Sequence, residues 1–510
     1  MRILLPLIGL LLTGCTSVDY QYPREASTFI PVANDAELDL KIAPLVAGQQ
    51  EGISGFYALV DGIDAAAARL RLAEQARRSI DLQYYLIKRD RVGEMFLYSL
   101  LSAADRGVRV RLLLDDMFNK GFDHEMKALD VHPDIEIRVF NPFNRGWLGR
   151  SVGAAFNFRR INRRMHNKSF TVDSRVTIIG GRNIADEYFG AREDSAFGDL
   201  DVIGIGPIVD DVADMFDTYW QHDTAVPLAG FIQPLEDPQN ALDEYRKRLA
   251  AANEELADTR YAGAVIDRAY KGIEDGIADI RWSPYKLIYD TPDKGIKNRA
   301  DESDMIITPL IESLSTVEQE LMIISPYFVP QKKLTQGLLE ARKAGIEVSV
   351  ITNSLAANNQ ATVHGGYAPS RKPLLEAGVN LYEVRPDARI LGTEYVDSSS
   401  ARATLHTKSY VLDRREVFIG SFNFDPRSAY INTEMGVLID DPELGADFMA
   451  GLQEKLPDAV WRVSLTDTNQ LEWTGLKDDE PVTYRKEPMT NWWQRFKAGL
   501  YRILPIRSQL

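Results

Sequence analysis

Two short motifs, far apart in the 510-residue chain, carry the same residue types at the same spacing. Each has a histidine, a lysine two residues later, an aspartate and an asparagine. They are His166, Lys168, Asp173 and Asn183, then His406, Lys408, Asp413 and Asn423. A packing role in a duplicated scaffold would not require a lysine two residues after each histidine. Two copies in register therefore indicate a single chemistry that uses both.

On a β-strand, residues i and i+2 share a face, so each histidine should point the same way as its lysine. If the copies meet about a pseudo-twofold axis, two imidazoles and two ammonium groups surround one small space. One imidazole can then attack a phosphorus atom while the other protonates the leaving oxygen. Lys168 and Lys408, with the amides of Asn183 and Asn423, would stabilise the phosphoryl charge that develops. The motifs predict phosphodiester chemistry without a metal or another cofactor.

An attacking imidazole needs a carboxylate on its second nitrogen to fix its tautomer. Glu434 stands at the start of a predicted strand that follows the second motif. Asp201 occupies the matching place in the first half, after a few extra residues. These two are the predicted orienting carboxylates. Asp173 and Asp413 belong to the motifs but lie next to turns, where we expect them to brace the scaffold.

The elements around the motifs form one pattern used twice. Strand, helix and strand in close succession indicate a βαβ unit with a parallel strand pair, stopped in each half by a glycine after the helix. The predicted segments are 80–86, 93–105 and 108–114, then 321–325, 333–344 and 346–351. Each half continues into its motif, a two-stranded turn, another apolar strand and a helix. The prediction is an α/β fold of two similar lobes, each a mixed sheet flanked by helices, with the active site between them.

The repeat also suggests a domain map. A stretch between the lobes breaks the repeat; its charged helical part is expected on the surface between the lobes or beside the site. The predicted divisions are a signal peptide 1–14, a tether 15–44, a first lobe 45–225, a helical insertion 226–300, a second lobe 301–465 and a tail 466–510. The tail contains an amphipathic segment that starts at Asn491, rich in aromatic and basic residues. Such a segment fits a helix at a membrane interface, or a terminal helix that docks its aromatics on the protein.

The N-terminus has the features of an export signal. An apolar run after Arg2 is too short to span a bilayer and closes on small residues. Leu12-Thr13-Gly14-Cys15 resembles the bacterial lipobox, which implies cleavage before Cys15 and acylation of its thiol. Cys15 is the only cysteine in the sequence, so it cannot form an internal disulfide. We expect a lipid-anchored protein on a bacterial envelope membrane, the outer one in preference to the inner, facing the periplasm; the alternative is an ordinary secretory signal.

The formal net charge is −15, which opposes binding to nucleic acid. Phosphate recognition must then come from local basic residues. Ordinary proportions of hydrophobic (45%) and charged (26%) residues argue against both wholesale disorder and a polytopic membrane protein.

The two motifs resemble those of the phospholipase D superfamily. Further strings resemble bacterial cardiolipin synthases of the C type: Asp81–Tyr85, Leu112–Asp116, His364–Tyr367, Arg371–Leu375 and the terminal Leu504-Pro-Ile. The resemblance implies a phosphatidyl group carried on His166 as nucleophile, with His406 as general acid, and then passed to an alcohol. Phosphatidylglycerol as acceptor would give cardiolipin, with phosphatidylglycerol or phosphatidylethanolamine as donor, and water would give phosphatidic acid. No protein partner is identified.

Other possibilities remain at this stage. A nuclease of the same superfamily is disfavoured by the acidity and the lipobox, and a non-catalytic membrane scaffold would not need both lysines. The resemblance places His364 near the acceptor, although a surface-loop histidine is equally compatible with the sequence. Gly181 departs from the family pattern, in which many members have serine or threonine, whereas Ser421 keeps the hydroxyl.

Overall fold

The computed structural model describes residues 18–33, 37–117, 121–145, 158–192, 194–296, 305–388, 402–477, 480–503 and 509. The predicted signal peptide, Cys15 and the terminal Leu504-Pro-Ile string lie outside the described residues. Within the described part, no helix is both long enough and apolar enough to cross a membrane.

Among the described residues, twenty strands build the sheets. They are β1 Ile53–Leu59, β2 Ser79–Tyr84, β3 Arg109–Asp115, β4 Ile135–Phe140, β5 Ser169–Val172, β6 Val176–Gly180, β7 Ser195–Gly198, β8 Asp201–Ile205, β9 Ala225–Pro227, β10 Arg281–Tyr289, β11 Glu320–Ile324, β12 Glu347–Asn353, β13 Asn380–Val384, β14 Arg402–Leu405, β15 Ser409–Leu412, β16 Glu416–Gly420, β17 Met435–Asp440, β18 Val460–Leu465, β19 Leu471–Lys477 and β20 Glu480–Tyr484. The strands predicted in both halves agree with these bounds to within about two residues.

Helices flank the sheets. They are α1 Glu37–Ala47, α2 Gly62–Gln75, α3 Arg91–Ala104, α4 Asp123–Leu129, α5 Phe158–Ile161, α6 Pro207–Trp220, α7 Pro238–Ala257, α8 Arg260–Ala278, α9 Ile307–Ser315, α10 Lys332–Lys343, α11 Ala361–Tyr367, α12 Arg371–Glu376, α13 Pro426–Tyr430, α14 Pro442–Ala459 and α15 Trp492–Ile503. Local sequence explains several boundaries. Asp90 caps α3 by accepting a hydrogen bond from the Gly93 N–H, and Gly107 follows α3 with a positive φ of 85°.

The two lobes have the same strand order. The first sheet runs β1-β8-β6-β5-β2-β3-β4-β9, and the second runs β10-β17-β16-β15-β11-β12-β13-β18 before β19 and β20 extend it. In each sheet the three central strands of the βαβ units are parallel and their neighbours are antiparallel. β1 pairs with β10, and one hydrophobic core contains side chains of both lobes, including Ile179, Val202, Ile419 and Val437. The predicted fold of two similar α/β lobes is confirmed.

The insertion and the tail are not separate units. β10 lies inside the predicted insertion 226–300, yet it pairs with β17 and forms the first strand of the second sheet. Helices α7 and α8 pack on the first lobe, where Arg248 pairs with Glu125 and Arg268 with Asp64. The two helices therefore cover the outside of that lobe. Strands β19 and β20, inside the predicted tail, complete the second sheet.

The two motif aspartates brace equivalent corners of the lobes. Asp173 and Asp413 both have φ of 51° in the turns that follow β5 and β15. The Asp173 carboxylate accepts hydrogen bonds from the backbone N–H groups of residues 77–79, which lead into β2. The Asp413 carboxylate does the same for residues 318–320, which lead into β11. Each aspartate thus joins the motif hairpin to the central strand of its own lobe.

Candidate active site

Each motif histidine is attached by its backbone to the opposite lobe. The His166 N–H donates to the Thr433 carbonyl at 2.9 Å, and Met165 forms an isolated parallel bridge with Thr433. The His406 N–H donates to the Gly198 carbonyl at 2.7 Å, at the end of the parallel pair β7 and β14. The segment that leads into each histidine therefore crosses to the other half of the molecule.

A polar side chain at the end of a parallel strand holds the residue before each histidine. Asp115, the last residue of β3, accepts the Met165 N–H at 2.9 Å. Asn353, the last residue of β12, accepts the Leu405 N–H at 2.9 Å. Sequence analysis did not identify this pair as functional. Their equivalent positions at the carboxyl ends of repeated strands were the available signal.

The carboxylates that bind the imidazoles also come from the opposite lobes. Glu434 Oε2 lies 2.8 Å from His166 Nδ1, and Asp199 Oδ2 lies 2.5 Å from His406 Nδ1. All four side chains are buried. Each carboxylate can accept an Nδ1–H, which leaves the Nε2 of that imidazole with its lone pair.

The prediction of Asp201 as an orienting carboxylate is wrong. Its Oδ2 accepts from Arg69 Nη2 at 2.8 Å and pairs with Arg182 at 3.3 Å, inside the first lobe. The sheet register gives the reason. Gly180 pairs with Asp201 and Gly420 pairs with Gly436, so Asp201 corresponds to Gly436.

By the same register Asp199 corresponds to Glu434. The first half has five more residues between histidine and carboxylate than the second, because Asp199 follows His166 by 33 positions and Glu434 follows His406 by 28. Matching the apolar residues of the next strands, Val202 with Val437, would have found Asp199 from the sequence. Counting from the histidines alone chose the wrong aspartate.

Residue 181 is glycine, where many family members have serine or threonine, and the orienting carboxylate next to it explains why. That carboxylate belongs to Asp199, whose side chain is shorter than that of Glu434 in the second half. Ser421 Oγ donates to Glu434 Oε2 at 2.5 Å, so the hydroxyl supports the orienting group of the second half. At Gly181 a Cβ would lie 2.2 Å from Asp199 Oδ1. The Asp199 carboxylate therefore occupies the space that a side chain at residue 181 would need. The Leu200 N–H then donates to Asp199 instead.

The two motif lysines are buried beside the imidazoles. Lys168 Nζ donates to the His166 carbonyl at 2.5 Å, and Lys408 Nζ donates to the His406 carbonyl. Burial lowers the pKa of Lys168 to about 7 and that of Lys408 to about 8, although Glu434 and Asp199 oppose the shift. Each ammonium also lowers the pKa of the histidine in the other motif. The four groups therefore share one small electrostatic environment.

Burial favours the neutral form of both imidazoles in the free protein near neutral pH. Burial lowers the pKa of His166 to about 4 and that of His406 to about 3, against the opposing effect of their carboxylates. The pKa values of Glu434 and Asp199 are also lowered, because the adjacent imidazoles and lysines outweigh the effect of burial. With the carboxylates ionised and the imidazoles neutral, the Nε2 of each imidazole keeps its lone pair. These two lone pairs lie beside the ammonium groups of Lys168 and Lys408. An anionic phosphodiester would raise both histidine pKa values, so a proton could then reside on one of them.

Aromatic rings line the site. Tyr85 meets His166 edge-on at 4.9 Å between ring centroids, and Tyr188 meets His406 in the same way at 4.9 Å. Phe197 stacks on His406 with centroids 5.5 Å apart. These rings limit the rotation of the imidazoles and exclude water from their sides.

Of the two asparagines predicted to bind phosphate, Asn183 is linked to these groups through Tyr188. Asn183 Nδ2 donates to the Tyr188 hydroxyl at 2.9 Å, and that hydroxyl is 3.5 Å from His406 Nε2. The Asn423 N–H donates to Ser428 Oγ at 3.2 Å. In both asparagines the buried Oδ1 has no hydrogen-bond partner within the described residues. Their role towards phosphate stays a prediction.

His364 lies in a different environment from the motif histidines. It is buried in α11, with its Nε2 3.4 Å from Glu487 and its ring against Tyr367. Glu487 also binds Arg371 at 2.7 Å. His364 is therefore a buried helix residue and not a surface-loop residue, and its contact Glu487 lies upstream of the C-terminal helix.

We expect Asp199→Asn to lower kcat towards a soluble phosphodiester such as bis(p-nitrophenyl) phosphate by roughly 10²–10⁴-fold, because an amide stabilises the wrong imidazole tautomer. Steady-state kinetics across pH would measure this, together with a shifted pH profile. Asp201→Asn is the matched control. It breaks a buried ion pair and should lower the free energy of unfolding by about 3–5 kcal/mol. A large loss of kcat in Asp201→Asn, with kcat of Asp199→Asn unchanged, would contradict the role of Asp199.

We also expect sulfate to bind the free site less tightly as the pH rises through 7 to 8. Lys168 and Lys408 lose their protons over this range, whereas the charge of sulfate stays constant. Calorimetric titration between pH 6 and pH 10 would measure the affinity. The affinity should fall in two steps, one for each lysine. Lys168→Arg keeps its charge, so the step at the lower pH should disappear. An affinity that stays constant to pH 10 would show that the lysines are not perturbed.

Comparison with known proteins agrees with this geometry. Residues 70–220 and 310–456 match the family model described as cardiolipin synthase, PLD-like domain. The chain is 39% identical over 487 residues to cardiolipin synthase C of Escherichia coli (strain K12), covering 95% of this chain and 99% of that protein. It is 24% identical over 417 residues to cardiolipin synthase A of Pectobacterium atrosepticum, covering 80% and 69%.

Among solved structures, phosphatidylserine synthase of Haemophilus influenzae Rd KW20 has the same fold. The TM-score is 0.55 at 16% identity, over 84% of this chain and 92% of that chain. The chain is therefore an enzyme of the phospholipase D superfamily, and it belongs to the family of cardiolipin synthase PLD-like domains.

Proposed function

We propose that the protein is a phosphatidyltransferase that moves a phosphatidyl group through a phosphohistidine intermediate to the hydroxyl of phosphatidylglycerol, forming cardiolipin. The observation that carries this proposal is the pair of imidazoles, each held at Nδ1 by a carboxylate of the opposite lobe and flanked by buried lysines. The 39% identity to cardiolipin synthase C of Escherichia coli over nearly both whole chains supports the choice of phospholipid substrates.

In the first half-reaction, Nε2 of His166 attacks the phosphorus of the donor phospholipid. A P–N bond forms while the P–O bond to the headgroup alcohol breaks, and His406 gives its proton to that leaving oxygen. Lys168 and Lys408 offset the extra negative charge on the equatorial oxygens. Glu434 keeps Nδ1–H of His166 in place, so the positive charge that develops on this imidazole has an adjacent carboxylate.

In the second half-reaction, His406 removes a proton from the acceptor hydroxyl, and that oxygen attacks the phosphorus. The P–N bond breaks and His166 becomes neutral again. Asp199 stabilises the imidazolium of His406 before the first half-reaction and after the second, and holds the neutral imidazole as a base between them. Water in place of the lipid alcohol would give phosphatidic acid, so the outcome depends on which hydroxyl reaches the phosphorus. Both histidines have a carboxylate at Nδ1, so this contact does not tell the nucleophile from the acid. The roles of His166 and His406 are therefore assigned by analogy with the superfamily.

The products of the purified protein test this proposal. In mixed micelles of phosphatidylglycerol, with and without phosphatidylethanolamine, we expect cardiolipin as the main product, because a lipid hydroxyl is present at high local concentration. Mass spectrometry of the lipids would measure it. Phosphatidic acid as the main product would identify a hydrolase, and no change in any lipid would contradict both activities.

The intermediate is tested with single-histidine variants. His406→Ala should still acquire a phosphatidyl group on residue 166 from a donor whose leaving group needs no proton, whereas His166→Ala should acquire none. Peptide mass mapping at neutral or alkaline pH would locate the adduct. An adduct on His406 would reverse the roles, and normal turnover of either variant would exclude the two-histidine mechanism.

We further propose that the protein is exported and anchored through acylated Cys15 to the outer membrane, facing the periplasm. The lipobox-like Leu12–Cys15 and the absence of any other cysteine in the sequence support this. Two or more acyl chains hold a protein on a bilayer far more firmly than one.

Expression with labelled palmitate tests the anchor. The natural chain should incorporate label and have the mass of a protein that begins at residue 15. Cys15→Ser should incorporate none and keep its signal peptide. Label in the Cys15→Ser protein, or a mature natural chain without label, would contradict acylation at this position.

A further inference from the structure

The C-terminal helix α15 exposes a stripe of large apolar side chains. Trp492, Trp493, Phe496 and Leu500 are 65%, 51%, 54% and 44% exposed, and Met489 precedes them at 50%. The rings form one cluster, with Trp492 and Trp493 stacked 4.5 Å apart and Trp493 5.4 Å from Phe496. Single exposed apolar residues are ordinary, but a contiguous aromatic stripe marks an interaction surface.

The opposite side of α15 is fixed to the protein. Ala498 is buried, and a Cβ at Gly365 in α11 would lie 2.8 Å from Tyr501 Cβ and 3.1 Å from the Ala498 carbonyl. The two helices therefore touch at their backbones, which requires glycine at residue 365. Upstream of α15, Glu487 binds Arg371 at 2.7 Å. Docking uses one face of the helix, and the aromatic stripe is left on the other.

Basic side chains border the stripe. With about 100° of rotation per residue, Lys497 falls on one side of the aromatic face, and Arg495 and Arg502 fall on the other. Residues 485–510 contain six lysines and arginines but only one acidic residue, Glu487, in a chain whose net charge is −15. This end of the protein is thus suited to a negatively charged surface that would repel the rest.

Helix α15 packs on α11, and α11 follows directly after a segment that borders the active site. Residues 354–360 lead into α11, where the Ala357 carbonyl accepts from Thr404 Oγ1 at 3.0 Å, two residues before His406. Asn359 accepts from the Tyr327 hydroxyl at 2.9 Å. From Ala361, where α11 begins, to Gly365 the helix rises by about 6 Å, so one short helix separates α15 from this border.

We propose that the aromatic face of α15 inserts into the interfacial region of a bilayer that contains anionic phospholipid, and holds the border of the active site against that surface. Tryptophan and phenylalanine occupy the boundary between headgroups and acyl chains, and the flanking cations contact the headgroups. A lipid substrate would then reach His166 and His406 without leaving the membrane. This last step rests on the proposed function, whereas binding to the bilayer does not.

The test uses the chain from residue 15 onward, produced without the signal peptide and with Cys15→Ser, so that neither an acyl group nor the apolar signal contributes. It also carries His166→Ala, so that no lipid is consumed. Partitioning onto vesicles of phosphatidylglycerol and phosphatidylcholine is measured by co-sedimentation. Replacing Trp492, Trp493 and Phe496 by serine should weaken partitioning by roughly tenfold or more. The matched control is Ile311→Ser, which removes a similarly exposed apolar residue elsewhere and should change nothing.

The charge contribution is tested separately. Lys497→Gln should weaken binding to the anionic vesicles by roughly fivefold and leave binding to pure phosphatidylcholine vesicles unchanged. A second measurement leaves α15 unchanged, so that it does not depend on a variant that could alter folding. Vesicles that contain brominated lipids should quench the tryptophan fluorescence of this protein.

Several results would overturn the proposal. They are unchanged partitioning of the triple variant, no quenching by brominated lipids, or a dimer that becomes a monomer in the triple variant while vesicle binding stays the same. With His166 restored, the triple variant should hydrolyse bis(p-nitrophenyl) phosphate at the natural rate. Vesicle binding by a protein that transfers no phosphatidyl group would refute the proposed function and leave this inference standing.

Discussion

The active site depends on an exchange of carboxylates between the two lobes. Glu434 of the second lobe binds His166 of the first, and Asp199 of the first lobe binds His406 of the second. Neither lobe alone can fix the tautomer of its own histidine. Backbone bonds from each histidine to Thr433 and Gly198 reinforce the exchange, as does the hydrophobic core that both lobes share. Catalytic competence is therefore coupled to the relative position of the lobes.

The same arrangement controls the electrostatics. Two buried lysines face two buried carboxylates, so the free site is close to neutral while its histidines are uncharged. Removing ammonium groups from water is unfavourable, which is why burial lowers the pKa of Lys168 to about 7 despite the nearby acids. A phosphodiester places a negative charge beside both ammonium groups, and its pentacoordinate form places more there. The site is thus better matched to the transition state than to its own empty form.

Duplication has preserved contacts rather than residue types. Asp115 and Asn353 differ chemically, yet each accepts the N–H of the residue before a motif histidine. Asp199 and Glu434 differ by one methylene, and that difference determines whether glycine or serine fits at residues 181 and 421. The two halves are alike in geometry while their side chains adapt to one another.

The sequence by itself determined the repeated α/β pattern and the two motifs, because strand periodicity and residue spacing are local properties. It also indicated that Asp173 and Asp413 brace their lobes, since both stand at strand–turn junctions. Counting from the histidines did not distinguish Asp199 from Asp201, because loops of different length separate the histidines from their carboxylates. The sheet register decided between them, and the apolar residues of the next strands were the one trace of it in the sequence. The tertiary structure alone placed β10 in the second sheet and His364 against Glu487. These features arise from contacts between residues more than 100 positions apart, as in the pairing of His364 with Glu487, and no local pattern encodes such contacts.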